Sequence, residues 1–354
     1  GWTAQTFRAS GRVLHRLGKR PPQRPSAPVG RRPPHAFLAP QCNELQLCGL
    51  PPSLCSAHAA ARGFFVTAPH PIDQDIRQAR AHPAVRAIVI PPCPESLLRL
   101  QQIMAEPELD SAALEQLASS DVALAAAVMR LANSPLYGLA QPVQTVGMAL
   151  TVLGLQPAVQ LLSAFITRNA LQVRSPLLEH FWESSQRRAI ACEHIGHQLY
   201  SFDPGLGYSF GLFCHVGMPV LVKAVRGYAG TVTEALARKD RTFTQTENAS
   251  HRTDHAVMGA IVARTWHLPG DVAQAIWLHH DFACLDDERF DPTVRHLVAL
   301  GLLAEFLVNQ HDNLPPTREW QQHGQACMDH LHVTQDELDH WIDALHPAFE
   351  AVRF

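Results

Sequence analysis

From residue 95 onward, apolar residues recur at three- and four-residue spacing, the period of helices that bury one face. Leu97, Leu98, Leu100, Ile103 and Met104 predict a first helix, stopped at Pro107. Asp110 or Ser111 caps a second, with Leu114 and Leu117 turned inward. Residues 121–131 are apolar on nearly every face, with Arg130 the only charge after Asp121. A helix apolar all round is buried all round, so this one is expected at the centre of the fold, with Leu124, Val128 and Leu131 in the core. The ANSPLYG that follows reads as a stop, with Asn133 in the left-handed position and Pro135 unable to continue the helix. A further helix is expected from about Val143 to Gly154, with Val146, Ala149, Leu150 and Leu153 on one face.

The helical period continues downstream. Pro157 suits the first turn of a helix running to about Leu171. Others are predicted over 181–200, 208–226, 254–266, 270–280 and 291–310. Thr244 with Glu247, and Thr334 with Glu337, have capping-box spacing. The second opens a short amphipathic helix carrying Leu338, Trp341, Ile342 and Leu345. No stretch alternates cleanly enough to demand a strand. The expected fold class is therefore all-α: one multi-helix bundle over 91–310, with a helical C-terminal appendix over 311–354. Ahead of it, 64–90 reads as a linker, with a short helix over 72–80 and a brief extended run over 85–90.

Residues 1–63 change the picture. They are rich in Arg, Pro and Ala, with PPQRP at 21–25 and GRRPP at 30–34, and proline at that density prevents regular ladders. Net charge is −3 overall. Residues 1–90 hold 12 Lys and Arg against 3 Asp and Glu, a balance of +9, and the remainder holds 17 against 29, a balance of −12. A basic arm can bind nucleic acid; the composition favours a solvated, disordered leader instead. Eight cysteines are scattered without any C-x-x-C, which predicts reduced thiols in a cytoplasmic protein. No run of 18 apolar residues is present, so no membrane partner is expected. Phosphate loops are excluded, since neither G-x-x-x-x-G-K-[ST] nor G-x-G-x-x-G occurs.

DVALAAAVMRLANSPLYG, followed by ALTVLG, resembles the HDOD domain, a bacterial signalling domain related to the HD phosphohydrolases. Phe181-Trp182, Gly211-Leu212 to Gly217, Asp254-His255-Ala256 with Gly259, Trp266 with Leu268-Pro269, and His279-His280 continue the resemblance in the family's order. It spans roughly Pro91 to Asn309. It implies a helical bundle whose hydrolytic relatives hold one or two divalent metals with a His, a His-Asp pair and a later Asp, activating water against a phosphoester.

Set against that pattern, the His-Asp pair is Cys214 and His215, the earlier His is Ser184, and no carboxylate stands near 299–301 before Glu305. His255, His279 and His280 match positions that serve as extra ligands in related phosphodiesterases. Two readings stay open: a residual mononuclear site of His215, His255, His279 and His280, or core and helix-end histidines paired to backbone or carboxylates. The second is favoured, so no cofactor and no bound metal are expected. Any ion would be Zn²⁺ on Cys214 and the histidines at 255, 279 and 280. Adjacent residues on a helix diverge by about 100°, so Cys214 and His215 make no nucleophile–base pair.

The expected function is a non-catalytic regulatory protein, acting on signalling partners in bacterial signal transduction. Nucleic acid is not an expected partner. Asn133, Ser134 and Tyr137 are the candidate interaction surface. The alternative is a metal-dependent phosphohydrolase or phosphodiesterase of nucleotides with a non-standard HD site.

Overall fold

Prolines 91, 92 and 94 keep the entry to the bundle extended, and α1 (Glu95–Met104) begins directly after Pro94. The structure, a computed structural model, describes residues 76–352 except 78, 174, 179 and 239. The leader expected over 1–63 lies outside these residues. The carboxylates of Asp110 and Asp121 open α2 (Ser111–Ser119) and α3 (Val122–Ala132), each accepting two backbone N–H groups of the first turn.

Asn133 does not adopt the left-handed backbone; its φ is −86°. Its amide clamps Val143 instead, accepting from the N–H at 2.7 Å and donating to the C=O at 3.2 Å. The left-handed residue is Gly138, φ 54°, which closes the 3₁₀ turn Pro135–Tyr137. The clamp leaves Val143 extended, and Thr145 caps α4 (Val146–Leu153), three residues later than the apolar pattern suggests. α5 (Leu155–Leu171) follows at once, with Pro157 in its first turn.

The second half runs α6 (Phe181–Gly196), α7 (Pro204–Phe213), α8 (Gly217–Ala224), α9 (Tyr228–Ala237), α10 (Phe243–His251), α11 (His255–Thr265), α12 (Gly270–Leu278) and α13 (Pro292–His311). α14 (Arg318–Leu331) and α15 (Gln335–Ala351) complete it. No strand occurs among the described residues, and the fold is all-α. α6 ends at Gly196, short of the expected 200. The single helix expected over 208–226 is two, broken at 214–216. In the stretch expected to be extended, Val85 and Arg86 belong to a helical turn, Pro83–Arg86.

The central helix is α13, not α3. Eleven of α13's residues are buried between Val294 and Val308, and α6, α7, α12, α14 and α15 pack around it. α3 buries only Leu124, Ala127, Val128 and Ala132; Val122 is 88% exposed, and Leu131 is half-buried. Its apolar look comes from alanines such as Ala123 and Ala126, both exposed. Alanine is the best helix former and needs no burial. The C-terminal helices share the same core, through Cys327, Leu338, Trp341 and Phe349 among others. Trp266, fully buried, donates its indole N–H to the Pro91 carbonyl at 2.9 Å and ties the entry segment to α11.

The segment Pro204–Ala224 is 21 residues long and apolar enough to cross a membrane, and 72% of its most apolar window lies buried inside the protein. Its two helices are held by close packing. A Cβ built on Gly217 would stand 2.1 Å from the His255 carbonyl oxygen and 2.7 Å from the Gly259 nitrogen. Only a residue without a side chain lets the start of α8 lie on the start of α11. Gly217→Ala should therefore destabilise the domain by about 3 kcal/mol or more, because the clash is with backbone. Gly230→Ala, on an open face of α9 with nothing within 4 Å, should leave stability unchanged or raise it by up to about 1 kcal/mol. Chemical denaturation of the two variants checks the contrast.

Candidate functional site

The break between α7 and α8 carries His215. The Gly217 contact sets it beside His255, the first residue of α11, whose N-cap Asp254 accepts from Val257 N–H at 2.8 Å. α12 ends at Leu278, so His279 and His280 project from its C-terminal edge. The four histidines meet: one potential ligand atom from each lies within 4.8 Å of the others. His215, His255 and His279 are buried, and His280 is nearly so.

Each of three imidazoles is held through Nδ1. His255 Nδ1 donates to Glu247 Oε2 at 2.7 Å, and both side chains are fully buried. His279 Nδ1 donates to the Ile276 carbonyl at 2.7 Å. His280 Nδ1 donates to Glu319 Oε1 at 2.8 Å. These acceptors fix the tautomers, and all three Nε2 atoms turn inward. His255 Nε2 lies 3.2 Å from that of His279 and 3.0 Å from that of His280. The Phe243 ring stands edge-on to His255 and stacks parallel to His280 at 6.5 Å.

Glu247 also accepts from the Tyr228 hydroxyl. It is free to do so because it is not a capping residue. The capping box on α10 pairs Thr242 with Gln245, not Thr244 with Glu247. Neither Glu247 nor Glu319 was marked for this role by motif; Glu319 comes from the appendix, 39 residues after His280.

Burial pushes the imidazoles of His215 and His279 well below the ordinary value, and the Arg188 charge and neighbouring rings add to this. Both are neutral donors. Burial acts the same way on His280, but the Glu319 carboxylate outweighs it and pushes that ring up. Against its own burial, Glu319 is in turn held below the usual carboxylate range by His280.

On the other side of His215 and His279 lies a small enclosed cavity of ≈ 10 Å³, lined also by Arg188, Phe210, Cys214, Gly301, Glu305 and Glu319. Arg188, one turn beyond Ser184, is the α6 residue that faces it. The expectation at Ser184 missed by that turn. The helical spacing of buried Ser185, Ala189 and Cys192 puts Arg188 on the inward face. Its Nε and Nη1 have no hydrogen-bond partner among the described residues. Cys214 faces this cavity and not the histidine cluster; its thiol donates weakly to the Gly211 carbonyl, and burial pushes it up. Of the two sets considered from the sequence, the structure assembles His215, His255, His279 and His280 and leaves Cys214 out. At Gly301 a Cβ would meet Phe210 Cε1 at 2.6 Å, so the phenyl ring fills the place expected for a late Asp. The carboxylate that does line the cavity is Glu305, one helical turn on, with burial pushing it above its ordinary value.

The HDOD domain model matches residues 90–282, more than half of the chain. The chain belongs to the HDOD family. An uncharacterized protein of Treponema pallidum (strain Nichols) is 24% identical over 222 residues, 62% of this chain but only 42% of that relative's length. Among solved structures, a candidate signal transduction protein of Marinobacter aquaeolei VT8 aligns with TM-score 0.63 at 19% identity, over 79% of this chain and 64% of that one. A candidate phosphohydrolase of Shewanella amazonensis SB2B aligns with TM-score 0.58 at 19% identity, over 79% and 96%. At such identities the likeness is one of fold. The family match ends at 282, so α13, Glu305 and Glu319 lie beyond it.

The surface residues singled out from sequence, 133, 134 and 137, have different surroundings. Asn133 is spent on the Val143 clamp, and Tyr137 packs partly buried against the core. Ser134 lines a groove of ≈ 490 Å³ with Leu131, Leu136, Phe165 and Val352.

A buried guanidinium is tolerable only with a compensating charge. Glu305 lines the same cavity and its charge acts on Arg188 through space, so Glu305→Gln should destabilise the domain, and the double variant Arg188→Met with Glu305→Gln should recover part of the loss. Equilibrium unfolding in urea measures both.

Proposed function

We propose that this HDOD protein is a regulatory component of bacterial signal transduction, working in the cytoplasm through contacts with other signalling proteins and without turnover. One observation carries the reading. Where hydrolytic relatives would need an open site, the cavity beside the histidines holds ≈ 10 Å³, space for about one water. Pockets that take small organic ligands run to about 300–1,000 Å³. Arg188 and the Phe210 ring occupy the remaining room. Mg²⁺ and Mn²⁺ favour oxygen donors, and the converging atoms here are imidazole nitrogens.

The runner-up is a metal-dependent phosphohydrolase, favoured by the four converging histidines with carboxylates behind two of them. The full chain should show no hydrolysis of cyclic dinucleotides or nucleoside monophosphates above the protein-free rate, with Mg²⁺, Mn²⁺ or Zn²⁺ added in turn. Turnover that vanishes in His255→Ala would reverse the assignment.

A further inference from the structure

We propose that His215, His255, His279 and His280 bind one borderline divalent ion, of the Zn²⁺ or Co²⁺ kind, in a four-nitrogen site. The argument starts from the lone pairs. Because Glu247, the Ile276 carbonyl and Glu319 each take an Nδ1 proton, the Nε2 atoms of His255, His279 and His280 present lone pairs to one another. At 3.0 and 3.2 Å these would repel unless a cation lies between them. A proton on His280 Nε2 relieves only its contact with His255. It leaves His279 Nε2 facing His255 Nε2 at 3.2 Å with no hydrogen between them. A metal ion relieves both contacts at once.

The spacing fits. Four nitrogens about 2.0–2.1 Å from a central ion stand about 3.3–3.4 Å apart at tetrahedral angles. Two of the separations are close to that. The others, all within 4.8 Å, are short enough to close by small ring rotations. The anchoring is also of the right kind: a ligand imidazole that donates its second nitrogen to a carboxylate or carbonyl is oriented and made more basic. Charge sets the stoichiometry at one. Arg188 and the Phe210 ring occupy the neighbouring space, and a guanidinium there repels a second cation. Imidazole donors select the borderline ions over Mg²⁺ and Ca²⁺.

This inference does not rest on the regulatory reading, and its readout is not activity. The full chain is purified without chelator, its metal content is measured, and the stripped protein is titrated with Zn²⁺ and with Co²⁺. Expected are one ion per chain, a visible Co²⁺ spectrum of tetrahedral nitrogen ligation, and loss of that spectrum in His279→Ala. Glu319→Gln, which keeps all four ligands, should bind about 10–100-fold more weakly, and it carries the test if His279→Ala does not fold. A folded wild-type chain that takes up neither ion, or a Glu319→Gln chain that binds as tightly as wild type, overturns the proposal.

Discussion

The contact that the site depends on contains no side chain. Gly217 lets the first turn of α8 sit against the His255 carbonyl, closer than any Cβ would allow. From that contact follow the break at 214–216, the position of His215 beside His255, and the burial of a 21-residue apolar segment inside the bundle. A single methyl group there would push apart the two helices that carry half of the histidine cluster. Fold and site are therefore set by the same few atoms.

Around that contact the core holds buried carboxylates whose hydrogen-bond partners come from neighbouring helices. Glu247 is fully buried, yet it accepts from Tyr228, from the His255 ring and from the His255 backbone. Glu193, on α6, is satisfied by Gln156 and Gln160 from α5, although burial still pushes it up. Such pairs stabilise little by themselves, but leaving either partner alone is costly. They therefore act as registration pins, since a helix shifted by one turn would bury an unpaired charge. Glu319 does this across the greatest sequence distance and makes α14 a wall of the site.

How much of this was legible from the residues alone depends on the range of the interaction. Helix starts written in local chemistry were readable: Asp110 and Thr334 cap where their spacing places them. The four histidines were nameable because they sit in short motifs. What failed were inferences in which a local pattern has two physical causes. Ala123 and Ala126 made 121–131 look buried all round when they only made it helical. Asn133 suits a left-handed turn, but its amide found Val143 ten residues away. Cys214 and His215 are neighbours in sequence, and only the helix break decides which faces the cluster. Glu319, Glu305 and Arg188 had no motif, since each acts on a residue more than twenty positions away.

Arg188 is the one permanent cation that lines the cavity beside His215 among the described residues. Glu305 enters the cavity beside His215 from the central helix; burial pushes its carboxyl up, and the Arg188 charge opposes that. A divalent ion would supply that charge and could also bind and activate water. A guanidinium supplies the charge permanently, attached to α6, with no vacant coordination position and no means of lowering the pKa of a bound water. It also extends a rigid, planar group into space that a substrate would need. The guanidinium thus brings fixed positive charge to the cavity without offering a coordination position. On the far side of His215 no such substitute exists: the inward lone pairs of three rings still converge on one point, each held there by a hydrogen bond on its outer face.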